Sequence, residues 1–148
     1  MTSTDMAYSP SHVGICVSDL ETSMRFYCDG LGFGVAERYD LDSADMPDLV
    51  HSLEMEGPLK VNSQMIVNGS MKVELLHYPG RPAQGTPSTS RGLLGLTHLS
   101  FYVADVDKAA ARLVQHGATI VDVTRVNVGI PLVFLTDPDG TRIELMGT

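Results

Sequence analysis

Six-residue stretches in which apolar side chains alternate with small or polar ones recur along the chain, each opened or interrupted by a residue of opposite character. His12 to Val17 and His98 to Val103 are rich in β-branched and aromatic residues and read as strands. An aspartate follows each histidine at the same interval, Asp19 in the first case and Asp105 in the second, and each reads as a helix N-cap. After Asp105 the apolar residues Val106, Ala109, Ala110, Leu113 and Val114 trace one helical face, with Gly117 suited to its C-terminal end. After Asp19 the same stripe is carried by Leu20, Met24, Tyr27 and Cys28, with Ser23 at the remaining position.

The correspondence is an internal repeat. HVGICVSDLETSMRFYCDGLG aligns with HLSFYVADVDKAAARLVQHGA across a one-residue gap. Further strands are expected at Gly34 to Tyr39, Asn62 to Val67 and Met71 to Tyr78, and at Thr119 to Val126, Leu132 to Thr136 and Thr141 to Met146. The turn Asp137 to Gly140 leads into the last of them. The expected fold class is therefore α+β: two βαβββ modules that pair their sheets into a cup. The organisation is an N-terminal tail (1–10), a first module (11–78) with an insertion at about 40–61, a Pro-, Gly- and Ser-rich linker (79–96) and a second module (97–148). Within the insertion, Met46, Leu49, Val50 and Leu53 predict a short helix behind Asp45.

Side chains alternate across a strand, so parity assigns residues to faces. His12, His98, Glu74 and Glu144 all fall on the less apolar face of their strands. A single strand histidine or glutamate ordinarily meets solvent at a sheet edge. Recurrence of one His and one Glu at matching positions of two repeats shifts the balance toward a site in which all four converge on a metal. Two imidazoles with two carboxylates suit a divalent ion such as Zn, Ni, Co, Mn or Fe(II). Arg142 shares parity with Glu144, and Tyr102 with His98, which makes them candidates for anchoring substrate. His77, His116 and His51 lack this support.

Composition removes other classes. The chain has 148 residues, 43% hydrophobic and 19% charged, and a formal net charge of -8 with scattered basic residues, which disfavours nucleic-acid binding. No apolar run is long enough for a bilayer, and MTSTDMAYSP is no secretory signal, so membrane insertion is not expected and the expected location is cytoplasmic. Cys16 and Cys28 read as reduced, half-buried small hydrophobes without a role.

SHVGICVSDLETSMRFYCDGLGF, LTHLSFYVADVD and DPDGTRIEL together resemble the vicinal oxygen chelate superfamily, which unites glyoxalases, bleomycin-resistance proteins and extradiol dioxygenases. The resemblance covers Ser11 to Met146. It implies paired βαβββ modules around a divalent metal held at positions corresponding to His12, Glu74, His98 and Glu144. It also implies a small-molecule substrate with vicinal or conjugated oxygens, and in some relatives a homodimer. The implied chemistry is a lyase or isomerase reaction that moves a proton next to a carbonyl through an enolate or enediolate, with Glu144, and secondarily Glu74, as the base. The alternatives within the family are an Fe(II) or Mn(II) extradiol-type dioxygenase and a non-catalytic, resistance-type binder. Four ligands favour the first reading over the dioxygenases and thiol transferases, which typically use three. Cys16 and Tyr78 stand where glyoxalase I has its glutathione-binding arginine and asparagine, and MKVELLHYPGR is similar to a strand of methylmalonyl-CoA epimerase.

Overall fold

The structure is a computed structural model that describes residues 7–148; the first six residues of the expected tail lie outside the described residues. Among the described residues eight strands and three short α-helices follow one another as two copies of one pattern. The first copy comprises β1 (Val13–Cys16), α1 (Leu20–Met24), β2 (Gly34–Asp42), α2 (Leu49–Ser52), β3 (Lys60–Asn68) and β4 (Met71–His77). The second comprises β5 (Leu99–Val103), α3 (Val106–Val114), β6 (Thr119–Asn127), β7 (Pro131–Thr136) and β8 (Arg142–Gly147). Their sheets have the same strand order, β1-β4-β3-β2 and β5-β8-β7-β6. The expected α+β architecture of two βαβββ modules is thus realised.

Local chemistry explains the elements. The Asp19 and Asp105 carboxylates accept from the backbone N–H of Thr22 at 2.7 Å and of Lys108 at 3.0 Å, so both are N-caps as expected. The first helix departs from the simple stripe, because beyond Met24 it widens into a π-helical turn over Arg25–Gly30. There Leu31 N–H reaches back five residues to the Phe26 carbonyl. The wider turn brings both Phe26 and Tyr27 into the core, where the α-helical period had selected Tyr27 and Cys28. The insertion helix is a single turn with Asp48 at its N-cap position, three residues later than Asp45 predicted and without a side-chain capping bond. In both modules the edge strand carries a register shift, between Val35 and Arg38 and between Val121 and Val126. A polar side chain answers each bulge. The buried Gln64 amide donates to the carbonyls of Ala36 and Glu37, and the Thr124 hydroxyl donates to the Val121 carbonyl and accepts from Phe134 N–H.

One core joins the modules. Ile66, Val73 and Leu75 from the first sheet and Val133, Leu135, Ile143 and Leu145 from the second belong to a single buried cluster with Phe26, Tyr27, Ala110 and Leu113 of the helical segments. The cluster is pinned by polar contacts between modules. Tyr27 O–H donates to Asp137 at 2.8 Å, Ser18 N–H donates to Asp139 at 3.0 Å, and Arg112 donates to the Asp29 carbonyl at 2.7 Å. The apolar faces of both sheets therefore turn toward the shared core, and their other faces turn away from it. Among the described residues no helix is long and apolar enough to cross a membrane.

Candidate metal centre

The parallel pairing of the first and last strand of each module sets the geometry. Gly14 lies opposite Glu74 in one sheet, and Ser100 lies opposite Glu144 in the other. Each histidine immediately precedes its strand and so stands over the neighbouring glutamate. His12 Nε2 is 3.5 Å from Glu74 Oε1, and His98 Nε2 is 3.1 Å from Glu144 Oε2. The imidazoles are about one-third exposed and the carboxylates less, at 18% and 13%. These side chains sit on the faces that turn away from the core, as parity predicted.

Hydroxyl groups hold both pairs in place. Ser11 Oγ lies 2.8 Å from His12 Nδ1, and Thr97 Oγ1 lies 2.8 Å from His98 Nδ1. Where the hydroxyl oxygen accepts the Nδ1 proton, the Nε2 lone pair is free for a cation, the usual arrangement behind a metal-ligating histidine. The Ser63 hydroxyl donates to Glu74 at 2.6 Å, and the Ser100 hydroxyl donates to Glu144 at 3.2 Å. None of these four hydroxyls stands out as a site residue in the sequence. The Ser-His and Thr-His dipeptides are the signal that bears on two of them. Ser63 comes from a strand whose pairing register the sequence leaves open.

Within one chain the two pairs do not come together. Among the described residues no three His, Cys, Asp or Glu side chains are close enough to hold one ion. The expectation of four converging residues is met only as two half-sites, each a histidine and a glutamate. The physical reason is the shared core. Packing both helix-covered faces inward points the two His–Glu faces outward, and neither can reach the other.

The remaining candidates divide. Arg142 opens β8 on the Glu144 face, is only 8% exposed, and its side chain has no hydrogen-bond or ion-pair partner among the described residues. It lines a cleft of about 440 Å³ together with His98, the edges of β1 and β5, and linker residues between Pro87 and Leu96. Tyr102 lies on the same sheet but is 71% exposed. Arg91 of the linker stacks over the Phe134 ring at 4.0 Å, and that ring meets the His98 imidazole edge-on at 5.1 Å. Burial, and then the like charge of Arg142, pulls the Arg91 guanidinium below its ordinary pKa, with Glu144 acting in the opposite sense. Cys16 is exposed rather than half-buried and borders the same cleft, whereas Cys28 is half-buried as expected. His77 bonds to Asn62, His116 to the Arg112 carbonyl, and His51 belongs to α2, so none of the three joins a pair.

Comparison with known proteins gives a consistent picture. The model of the Glyoxalase/Bleomycin resistance protein/Dioxygenase superfamily matches residues 9–145. The YaeR protein of Escherichia coli strain K12 is 32% identical over 136 residues, covering 90% of this chain and 92% of its own. A probable lactoylglutathione lyase of Synechocystis is 28% identical over 139 residues, covering 93% of each. A glyoxalase family protein from Bacillus cereus superposes with a TM-score of 0.78 at 22% identity, covering 99% of this chain and 98% of that one.

Proposed function

The chain belongs to the Glyoxalase/Bleomycin resistance protein/Dioxygenase superfamily, and on that premise we propose that it is a divalent-metal-dependent lyase or isomerase that moves a proton next to a carbonyl. The observation that supports this most is the duplicated His–Glu–hydroxyl arrangement, with Nδ1 of each imidazole engaged and Nε2 turned to a carboxylate. Nitrogen and carboxylate donors in this number suit Zn, Ni, Co, Mn or Fe(II). A half-site supplies only two of them. We infer that two copies of the chain associate so that His12 and Glu74 of one complete His98 and Glu144 of the other, giving equivalent sites related by a two-fold axis. Apolar side chains exposed near the His98 half-site, Leu94 and Leu96 of the linker and Tyr102, are surface that such a partner would cover.

When bound, the metal supplies Lewis acidity toward two vicinal or conjugated substrate oxygens. The proton is then handled by a glutamate, and Glu144 is the better placed of the two. Its hydroxyl partner lies at 3.2 Å, whereas Glu74 is held at 2.6 Å, so Glu144 is the freer to turn toward a carbon acid. Tyr102 and Arg142 flank the same face and orient the substrate.

Metal analysis of the wild type beside Glu74→Gln and Glu144→Gln tests the reading. The wild type is expected to retain about one ion per chain, and both variants to bind it at least about tenfold more weakly. Solvent-deuterium exchange into α-hydroxy thioesters or hemithioacetals of α-keto aldehydes is expected only with the loaded wild type. A wild type that binds no divalent ion, or variants that bind it equally well, would overturn the proposal.

A further inference from the structure

An arginine that is more than nine-tenths buried as a residue ordinarily has a carboxylate or several carbonyls bonded to its guanidinium, because removing the charge from water is costly. Arg142 has neither among the described residues. It lines the cleft between the edge strands β1 and β5, whose other charged or titratable lining groups are His98 and Cys16. Among the described residues no aspartate or glutamate lines that cleft, in a chain whose formal net charge is -8. The hydroxyl residues Ser88, Ser90, Thr97 and Thr141 do. A second guanidinium lies at the margin, on Arg91 next to the lining residue Ser90. Arg91 stacks on the Phe134 ring, and both the like charge of Arg142 and the opposite charge of Glu144 bear on it. Glu144, the one carboxylate nearby, is engaged by His98 and Ser100.

A buried arginine and several hydroxyls facing one cleft with no acid in its lining, and a second guanidinium at its margin, describe a receptor for an anion. We propose that Arg142 and Arg91 form an anion subsite beside the His98–Glu144 half-site, so that the substrate is an oxygenated acid that carries a carboxylate or phosphoryl group next to its chelating oxygens. The substrate assignment rests on the metal-site reading above, whereas the subsite itself does not.

The test uses metal-stripped, full-length protein titrated calorimetrically with inorganic phosphate and with succinate, so that anion binding is read without any metal. Binding of at least one probe is expected, weakened about tenfold or more by Arg142→Gln and less by Arg91→Gln, and restored in part by Arg142→Lys. Which probe binds distinguishes a phosphoryl from a carboxylate substrate. Arg91→Gln lies on the exposed linker and keeps the test informative should Arg142→Gln fail to fold. Wild type that binds neither probe, or binding unchanged in both glutamine variants, would overturn the proposal. Metal retention by Arg142→Gln, measured in parallel, separates this outcome from failure of the metal site. Loss of anion binding with metal binding intact supports the subsite alone. Anion binding by a wild type that takes up no metal leaves the subsite standing and refutes the metal-dependent reading.

Discussion

Replacing Tyr27 by Phe removes one hydroxyl from the seam between the modules and leaves the aromatic packing in place. The ring meets Phe26 at 4.9 Å and Phe33 at 5.9 Å, both edge-on, and Phe retains these contacts. What is lost is the 2.8 Å hydrogen bond to Asp137, whose side chain is 3% exposed and keeps only the N–H groups of Asp139 and Thr141 on its other oxygen. A hydrogen bond to a buried charged group is worth about 1.5–3 kcal/mol, which for a domain of this size lowers Tm by roughly 4–10 °C. The effect has a pH signature. Burial raises the Asp137 pKa above 3.8, while the Tyr27 hydroxyl works against that rise. A carboxyl whose folded pKa is raised contributes stability that is complete below its unfolded pKa and is lost as pH climbs through the folded one. Phe at position 27 raises that folded pKa further, so the deficit of the variant is expected to be largest near about pH 7 and to shrink toward about pH 4. Urea unfolding of both proteins across this range measures it. A deficit that is absent, or that is the same at both ends, would refute this account of the seam.

Asp105→Ala is expected to cost about 1 kcal/mol, since its carboxylate caps α3 through Lys108 N–H; thermal denaturation checks it. Ser23→Ala should have the opposite sign. The Ser23 hydroxyl is buried without a partner among the described residues, so its removal is expected to stabilise by up to about 1–3 kcal/mol, read as a raised urea midpoint.

Much of this architecture is legible in the sequence because the chain states it twice. The repeated His strand, aspartate cap and amphipathic stripe carry the modules. The parity of His12, His98, Glu74 and Glu144 carries the face on which each lies. Three features escape, each for a physical reason. The π-turn after Met24 depends on what Phe26 and Tyr27 find in the core, which is tertiary. The outward direction of the two His–Glu faces follows from the helical segments packing against each other, and facial parity is silent about how two modules dock. Arg91 sits in a stretch whose composition reads only as linker, and its place over Phe134 is a long-range contact with no local pattern.

Mixed dimers address the relation between half-sites and subunits directly. One variant carries His12→Gln with Glu74→Gln, the other His98→Gln with Glu144→Gln, and each alone lacks an intact set of four ligands in any pairing. If the centre is assembled between chains, unfolding and refolding the two variants together at equal amounts restores one complete site per mixed dimer, about a quarter of the wild-type tight metal binding. If mixing restores nothing while the wild type binds metal tightly, the site lies within one chain and the account is wrong.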